Sequence, residues 1–293
     1  MKQLLLILNP KAGLKKAAKK LPDIISVFNR ADFDVHTYIT TQSGDAIDAV
    51  AKLGKKMDLI VCCGGDGTFN ETITGIIRAK LDVPLGYIPA GSTNDFANSL
   101  NLNQNIVKSA EQIVAGSIHE YDVGKFGSRY FSYVASFGMF TKSSYATPQE
   151  LKNTLGHMAY LLGGITELSK IRREKLRIEL PNEVLEDEYI FGAICNSTSV
   201  GGVLTLDPNV VDMADGVFEL LLIRAPRNIT ELNECILSLL NRTYECKMIT
   251  FRTASTLKIS ASPQMMWTLD GEMANGSDEI KVENLHNRIK LIH

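Results

Sequence analysis

Short apolar runs alternate with segments of helical periodicity over the first 120 residues of this 293-residue chain. Predicted strands lie at residues 4–8, 34–40, 58–63 and 83–88, of which the second is apolar only at Val35, Tyr38 and Ile39. Apolar residues at helical spacing follow the first three strands. Continuous apolar runs such as residues 4–8 are typical of strands buried on both faces. Regular alternation of strand and helix predicts an α/β fold with a doubly wound parallel sheet.

The pattern changes near residue 121, where β-type segments begin to dominate. They lie at residues 121–126, 130–137, 176–180, 189–196, 217–224, 249–254 and 256–260. Helical spacing interrupts them at about residues 148–173 and 229–240. Runs of strands with few helices predict an antiparallel β-sandwich. We therefore expect an α/β domain over residues 1–120 and a β-rich domain over residues 121–293, with the last residues free to return to the first domain.

Charge and cysteine content exclude several classes of protein. Thirty-one basic and 33 acidic side chains leave a net charge of −2, so no overall attraction to nucleic acid is expected. The five cysteines include no CxxC pair, which favours reduced thiols and a cytoplasmic protein. Because no segment reaches the roughly 18 apolar residues of a membrane span, we expect the chain not to cross a bilayer.

One apolar run leads straight into a glycine-rich loop. After residues 59–63 come Gly64, Gly65, Asp66, Gly67 and Thr68, followed by helical spacing. Parallel sheets bind ligands at the carboxyl ends of their strands, and glycines and free N–H groups at a helix start favour a phosphate. The Asp66 carboxylate would repel a phosphate unless a cation lay between them, which favours Mg²⁺. The alternative is a tight turn with Asp66 as a helix cap.

Two further predicted strands end in loops of the same kind. The strand at residues 83–88 is followed by Pro89, Ala90, Gly91, Ser92, Thr93, Asn94 and Asp95. Alone this segment is typical of a capped helix, but beside the first loop it predicts a second wall of one phosphate site. The first strand is broken by the segment Asn9-Pro10-Lys11-Ala12-Gly13. Lys11, Lys15 or Lys16 could reach a phosphate, although a solvated helix face is the favoured interpretation for each.

Two carboxylates flank a glycine near the end of the chain, in Asp270-Gly271-Glu272. We expect both to point to the same side of a strand or turn. Such a pair suits a general base that accepts a hydroxyl proton while its neighbour orients it. The alternative is a β-turn with aspartate and glycine in their usual positions.

Taken in order, these four motifs resemble the bacterial diacylglycerol kinase and lipid kinase family. They are Asn-Pro-x-x-Gly, Gly-Gly-Asp-Gly-Thr-x-Asn-Glu, Pro-x-Gly-Ser-x-Asn-Asp-Phe and the late Asp-Gly-Glu, and they span nearly the whole chain. Gly-Gly-Asp-Gly alone also occurs in NAD kinases and phosphofructokinases. The resemblance implies transfer of the ATP γ-phosphate to a lipid hydroxyl, with diacylglycerol the first expectation. Another lipid alcohol, or a soluble acceptor such as NAD, is the alternative.

The resemblance also implies roles for individual residues. ATP would be held by Asn9, Pro10, Lys11, Ala12, Gly13, Thr40, Gly64, Gly65, Asp66, Gly67, Thr68, Asn70, Glu71, Gly91, Ser92, Thr93, Asn94 and Asp95. Asp66 and Asp95 would organise the catalytic Mg²⁺, and Asp270 would be the base with Glu272 beside it. A structural Mg²⁺ would involve Asp212, Asp215 and Val217, for which an Asp-Gly hairpin turn is the alternative.

A lipid kinase without a membrane span must reach its substrate as a peripheral protein, here transiently at the inner face of the membrane. Residues 157–177 combine an apolar helical face with a basic flank, as interfacial helices do. A helix packed on its own domain is the favoured interpretation. Asn196 is followed by Ser197 rather than the glutamate of NAD kinases, which counts against a soluble acceptor. A non-catalytic sensor is disfavoured because Asp66 and Asp270 are present. A sheet edge of the second domain could support a homodimer.

Overall fold

The computed structural model describes residues 1–139, 172–200 and 204–293. These residues form two compact units, the first made of residues 1–123 and 286–293 and the second of residues 124–285. Up to residue 171, the helix predicted over residues 148–173 and the predicted interfacial segment 157–177 lie outside the described residues. Lys175 and Arg177, two of the basic residues at the end of the predicted interfacial segment 157–177, belong to a strand instead.

The first unit is a parallel sheet with helices on both faces, which confirms the predicted doubly wound fold. Its elements are β1 (Lys2–Leu8), a short 3-10 helix (Ala12–Lys15), α1 (Lys16–Arg30), β2 (Phe33–Ile39), α2 (Asp45–Leu53), a second 3-10 helix (Gly54–Lys56), β3 (Leu59–Gly64), α3 (Asp66–Arg78), β4 (Leu85–Pro89), α4 (Asp95–Ser99), α5 (Ile106–Ala115) and the start of β5 (Ile118–Phe126). The end of β17 (Glu279–Ile292) joins the sheet, whose order is β17-β4-β3-β1-β2 with every pair parallel.

Strand β1 lies at the centre of this unit because its sequence is apolar on both faces. Leu4, Leu6 and Leu8 are buried against Phe28 of α1 and Ile113 of α5. The alternate residues of β1 face the other side of the sheet and are equally buried. Full burial of one such leucine stabilises the fold by about 1.5–3 kcal/mol. The strand therefore fixes the position of the loop that follows it.

The second unit is an antiparallel β-sandwich, as predicted. Its elements are β6 (Arg129–Phe131), β7 (Val134–Gly138), β8 (Glu174–Glu179), β9 (Val184–Cys195), β10 (Ser199–Val200), β11 (Leu204–Thr205), β12 (Phe218–Arg224), α6 (Ile229–Asn241), β13 (Ile249–Ala254), β14 (Thr256–Ala261), β15 (Met266–Leu269) and β16 (Glu272–Asn275). The long strand β9 pairs with β8 through its first half and with β7 and β12 through its second half. Aromatic residues fill the core, among them Phe131, Phe137, Phe218 and Trp267.

The single strand predicted over residues 130–137 is wrong, because the chain forms two strands there. Strand β6 ends at Phe131 and β7 begins at Val134. Between them, the N–H groups of Ser132 and Tyr133 donate to the side chain of Asp270. A peptide group that turns toward a carboxylate cannot also extend a strand ladder, so this side chain divides the strand.

Two expectations drawn from composition can be compared with the structure. All five cysteines carry free, buried thiols. None of the helices within the described residues is long and apolar enough to cross a membrane.

Candidate functional site

The loops after β1, β3 and β4 lie side by side because their strands are neighbours in the parallel sheet. The N–H of Asn9 donates to the carbonyl of Cys63 at 2.9 Å, and the N–H of Ala90 donates to that of Gly64 at 2.8 Å. These two bonds continue the sheet ladder past the ends of the strands. The structure therefore brings together three segments far apart in sequence, residues 9–13, 64–68 and 90–94, which we call the glycine cradle.

Glycines allow the three loops of the cradle to touch backbone to backbone. A Cβ atom added at Gly13, whose φ is +54°, would lie 2.2 Å from the carbonyl oxygen of Ala90. One added at Gly91 would lie 2.6 Å from the Cα of Gly65. Real Cβ atoms essentially never approach another atom within 3.0 Å. Any side chain at these two positions would therefore force the loops apart, so the sequence has glycine there for a steric reason.

Two asparagine side chains lock the turns of the cradle. Nδ2 of Asn9 donates to Oγ1 of Thr68 at 3.0 Å, which ties the first loop to the second. Oδ1 of Asn94 accepts from the N–H of Gly91 at 2.9 Å, and its Nδ2 donates to the Gly91 carbonyl at 3.2 Å. Asn94 itself has a φ of +52°, which asparagine tolerates better than most residues. Both side chains thus hold the loops in place from within.

Two carboxylates begin the helices that leave the cradle. Gly65 occupies the N-cap of α3, so Asp66 is not the cap but lies in the first turn, half-buried. Asp95 lies in the first turn of α4 and is 4% exposed. Carboxylates at helix starts are favoured by the helix dipole. Behind them Phe69 stacks on Tyr87 with ring centroids 4.1 Å apart, which gives the cradle a rigid floor.

Thr40 and Glu71 have different environments. Thr40 follows β2, is buried, and donates its N–H to the Leu8 carbonyl at 2.9 Å, so it lies beside the first loop. The carboxylate of Glu71 accepts from Oγ of Ser43 and N–H of Gly44, both at 2.8 Å, and from N–H of Ala46 at 3.4 Å. Glu71 therefore caps the start of α2, a task that sequence reasoning missed.

The remaining residues assigned to the ATP site lie in or beside the cradle. Gly67 and Asn70 are in the first turns of α3, Pro10 and Ala12 are half-buried, and Lys11, Ser92 and Thr93 are exposed.

Asp270 and Gly271 form the two-residue turn of the β15–β16 hairpin. Their φ angles are +48° and +80°, and Leu269 pairs with Glu272 across the turn. Asp-Gly is a preferred sequence for this turn, so the β-turn interpretation describes the backbone. The two carboxylates of the motif lie in different environments. Asp270 is 4% exposed, whereas the side chain of Glu272 is 48% exposed.

The Asp270 carboxylate is enclosed by hydrogen-bond donors from the β6–β7 connection. Oδ2 accepts from the N–H of Ser132 at 2.5 Å and from its Oγ at 2.8 Å, while Oδ1 accepts from the N–H groups of Tyr133 at 3.0 Å and Val134 at 3.1 Å. Burial raises the pKa of Asp270, and these four hydrogen bonds oppose the shift. Nδ2 of Asn196 in turn donates to the carbonyl of Ser132 at 3.0 Å. Asp270 is thus an anchor for its own turn.

Glu272 has one charged neighbour that sequence reasoning missed. Nη2 of Arg129 lies 3.5 Å from Oε2 of Glu272, and Nη1 of the same arginine donates to the carbonyl of Met273 at 2.7 Å. Arg129 follows the turn between β5 and β6, more than a hundred residues earlier in the chain. No local sequence pattern indicates a contact of this range.

The loop predicted to hold a structural Mg²⁺ forms tight turns. Oδ1 of Asp212 accepts from the N–H of Ala214 at 2.9 Å, and Oδ1 of Asp215 accepts from the N–H of Val217 at 3.0 Å. Across the described ranges, no three or more His, Cys, Asp or Glu residues are grouped so that they could hold a metal.

One buried acid interacts electrostatically with the two aspartates of this loop. Glu219 is 1% exposed, and its carboxylate oxygens have no hydrogen-bond partner in the part of the chain that the structure describes. Burial, followed by the charges of Asp215 and Asp212, raises the pKa of Glu219 to about 8. A cation bound by the loop would relieve this repulsion.

Comparison with known proteins places these features in one family. Residues 3–126 match the diacylglycerol kinase catalytic domain, and residues 135–292 match the YegS C-terminal NAD kinase beta sandwich-like domain. The diacylglycerol kinase of Bacillus subtilis (strain 168) is 31% identical over 93% of this chain and 90% of its own. That of Staphylococcus saprophyticus is 33% identical over 91% and 88%. The chain belongs to the diacylglycerol kinase family.

A solved structure supports the same assignment. The crystal structure of a putative diacylglycerol kinase from Bacillus anthracis str. Sterne has a TM-score of 0.82 to this chain at 26% identity, covering 100% of this chain and 95% of its own. Membership of the diacylglycerol kinase family makes this protein a lipid kinase, and kinases use ATP. In the first unit, the glycine cradle is a candidate site whose backbone suits a phosphate. In the second unit, the Asp-Gly-Glu turn is a candidate catalytic element.

Proposed function

We propose that this diacylglycerol kinase family member transfers the γ-phosphate of Mg-ATP to the hydroxyl of diacylglycerol and so produces phosphatidic acid. The observation that carries the proposal is the glycine cradle, three loops in backbone contact at the carboxyl ends of adjacent parallel strands. Ligands bind at this edge of such sheets. The relatives from Bacillus and Staphylococcus are named for the same lipid.

The cradle would hold the nucleotide through its backbone. Exposed hydroxyls of Ser92 and Thr93, and peptide N–H groups at the starts of α3 and α4, are suited to phosphate oxygens. Asp66 and Asp95 are the carboxylates that would hold the catalytic Mg²⁺. Bound Mg²⁺ supplies charge neutralisation on the phosphates. A second, structural Mg²⁺ at Asp212, Asp215 and Val217 is part of the same proposal, supported by the unpartnered carboxylate of Glu219 beside that loop.

Within the Asp-Gly-Glu turn, the geometry favours Glu272 over Asp270 as the base. Both oxygens of Asp270 already accept two hydrogen bonds each, and the side chain is buried. Glu272 is exposed and can accept a proton from a substrate. In the proposed step, the lipid oxygen forms a bond to the γ-phosphorus while its proton moves to Glu272. The bond from that phosphorus to the β–γ bridging oxygen breaks, and its electron pair leaves with ADP.

The proposal includes the protein's surroundings. A lipid acceptor requires contact with a membrane surface, and we propose that this contact is peripheral. No helix within the described residues is long and apolar enough to cross a membrane. A cytoplasmic location and a homodimer remain predictions. Another lipid alcohol is the principal alternative acceptor.

Transfer of labelled γ-phosphate from ATP to a panel of lipids in mixed micelles tests the proposed function. Diacylglycerol should become labelled, and EDTA should abolish the transfer because the phosphate charge is then not neutralised. Ceramide, undecaprenol, phosphatidylglycerol, NAD and sugars are assayed alongside as competing acceptors. Label in another lipid alone would correct the acceptor, and label in NAD alone would overturn the lipid assignment.

A further inference from the structure

Arg129 makes two contacts to successive residues of β16. Its backbone pairs with Phe126 in the β5–β6 hairpin, so the start of the side chain is fixed by a sheet. At the other end, Nη1 donates to the Met273 carbonyl at 2.7 Å, and Nη2 lies 3.5 Å from Oε2 of Glu272. The Arg129 side chain is therefore held at both ends, and its guanidinium has a defined position relative to one oxygen of the Glu272 carboxylate.

The ion pair has little value for folding. The side chains of Arg129 and Glu272 are 41% and 48% exposed, and ion pairs as exposed as this one contribute little to stability. Without a partner, a glutamate as exposed as Glu272 would sample several rotamers. A reaction that needs one of these rotamers would be slower, because the side chain would lose entropy when it adopts that rotamer. A planar, pre-organised guanidinium that is already bound to a neighbouring carbonyl restricts that sampling.

A second exposed pair in the same unit shows what an ordinary arginine–glutamate contact looks like here. Arg252 binds Glu183 through Nε at 2.7 Å and Nη2 at 3.1 Å, and both side chains are exposed to a similar degree. That pair joins residues of β13 and the β8–β9 connection, and neither belongs to any motif of the site. The hydrogen bonds between Arg252 and Glu183 are shorter than the 3.5 Å contact between Arg129 and Glu272, so the strength of the ion pair does not distinguish Arg129. The identity of the bound carboxylate does.

We propose that Arg129 is a positioning residue that holds the Glu272 carboxylate in the rotamer needed to accept the substrate proton. This inference rests on the proposed function, because it takes Glu272 as the base. One carboxylate oxygen contacts the guanidinium, and the other is left to receive the proton. The arginine takes no covalent part in the transfer.

Alanine, glutamine and lysine substitutions of Arg129 test this, with Arg252→Ala as the matched control. In the labelled-phosphate assay, with the lipid acceptor that the panel identifies, Arg129→Ala should lower kcat about tenfold with KM for ATP unchanged, because misplaced groups react slowly. Arg129→Lys should recover part of the loss, and Arg129→Gln less. Arg252→Ala should leave kcat unchanged, and all four variants should keep the wild-type Tm. An Arg129→Ala enzyme with wild-type kcat, or a loss equalled by Arg252→Ala, would overturn the inference.

The double variant separates this inference from the proposed function. If Arg129 acts through Glu272, Arg129→Ala should cause no further loss in a Glu272→Gln enzyme, whose residual rate the labelled assay can follow. An equal tenfold loss in that background would show that Arg129 acts by another route and would overturn its positioning role while Glu272 stayed the base. Full activity of Glu272→Gln alone would overturn the base assignment itself, and the inference with it.

Discussion

The glycine cradle of the first unit and the Asp-Gly-Glu turn of the second are built in opposite ways. The cradle depends on missing side chains, since a Cβ at Gly13 or Gly91 would collide with the backbone of another loop. The turn depends on side chains that are present, since Asp270 is enclosed by donors from Ser132 to Val134. Where backbones are in close contact at a glycine, almost any other residue would collide. Where side-chain hydrogen bonds form the turn, one residue can hold the backbone while its neighbour is left for another role.

The difference also determines what each region can contribute. Backbone N–H groups in the cradle offer fixed partial charges, which suit a phosphate that must be held in place. The turn offers one buried carboxylate as an anchor and one exposed carboxylate that can exchange a proton. We therefore expect substitutions in the turn to separate folding from chemistry, and substitutions in the cradle to affect nucleotide binding.

The largest effect should distinguish the two acids of the turn. Glu272→Gln should lower kcat by about 10²–10⁴-fold, the usual contribution of a general base, and should leave stability unchanged because the side chain is exposed. Asp270→Asn places an amide NH₂ against groups that already donate, so it should destabilise the second unit by about 1–3 kcal/mol. The measurements are kcat in the labelled-phosphate assay and urea denaturation. A stable but inactive Asp270→Asn beside an active Glu272→Gln would reverse the assignment and restore Asp270 as the base.

The next effect concerns close contact in the cradle. Gly91→Ala puts a Cβ 2.6 Å from the Cα of Gly65, and overpacking of this kind costs about 1–3 kcal/mol. If the loops separate to relieve it, ATP affinity should fall about 10- to 100-fold, measured by calorimetry. Gly54→Ala is the matched control, because the only close approach of its Cβ would be to the movable Cδ1 of Leu81, at 2.5 Å, with ordinary contacts to side-chain atoms of Val50 and Ile60. Gly54 precedes β3, whereas the cradle follows it. Equal affinity losses in both variants would mean that crowding anywhere in this unit weakens binding, and the cradle would lose its special role.

Sequence periodicity was enough to predict the parallel sheet, because β1 and β3 are short apolar runs followed by Asn-Pro and Gly, and apolar β4 ends at Pro89. Helix α5 was missed although its signals are local, with Asn105 at the N-cap accepting hydrogen bonds from Val107 and Lys108. The split between β6 and β7 could not have been predicted, since its cause is the Asp270 side chain, 138 residues from Ser132.

The same contrast holds for the candidate site. Glycine motifs identified the cradle residues, because steric exclusion leaves a visible residue type in the sequence. The burial of Asp270, the exposure of Glu272 and the contact with Arg129 depend on which segments the fold brings together. The sequence therefore indicated candidate residues in the turn but not the different environments in which the fold places them.

The smallest effect decides whether Glu71 belongs to the cradle or supports it. Its carboxylate accepts three hydrogen bonds from Ser43, Gly44 and Ala46, so Glu71→Ala should cost about 1–2 kcal/mol of stability, as loss of a helix cap does. ATP affinity should fall only a fewfold, less than in Gly91→Ala, because the carboxylate faces α2. Glu111→Ala, at an exposed position of α5, should change stability by no more than about 0.5 kcal/mol.

A Glu71→Ala protein of unchanged stability that no longer binds ATP would show that Glu71 contacts the nucleotide directly. In that case a side chain would share the work that we assign to the backbone of the cradle, and the contrast between the two regions would be weaker.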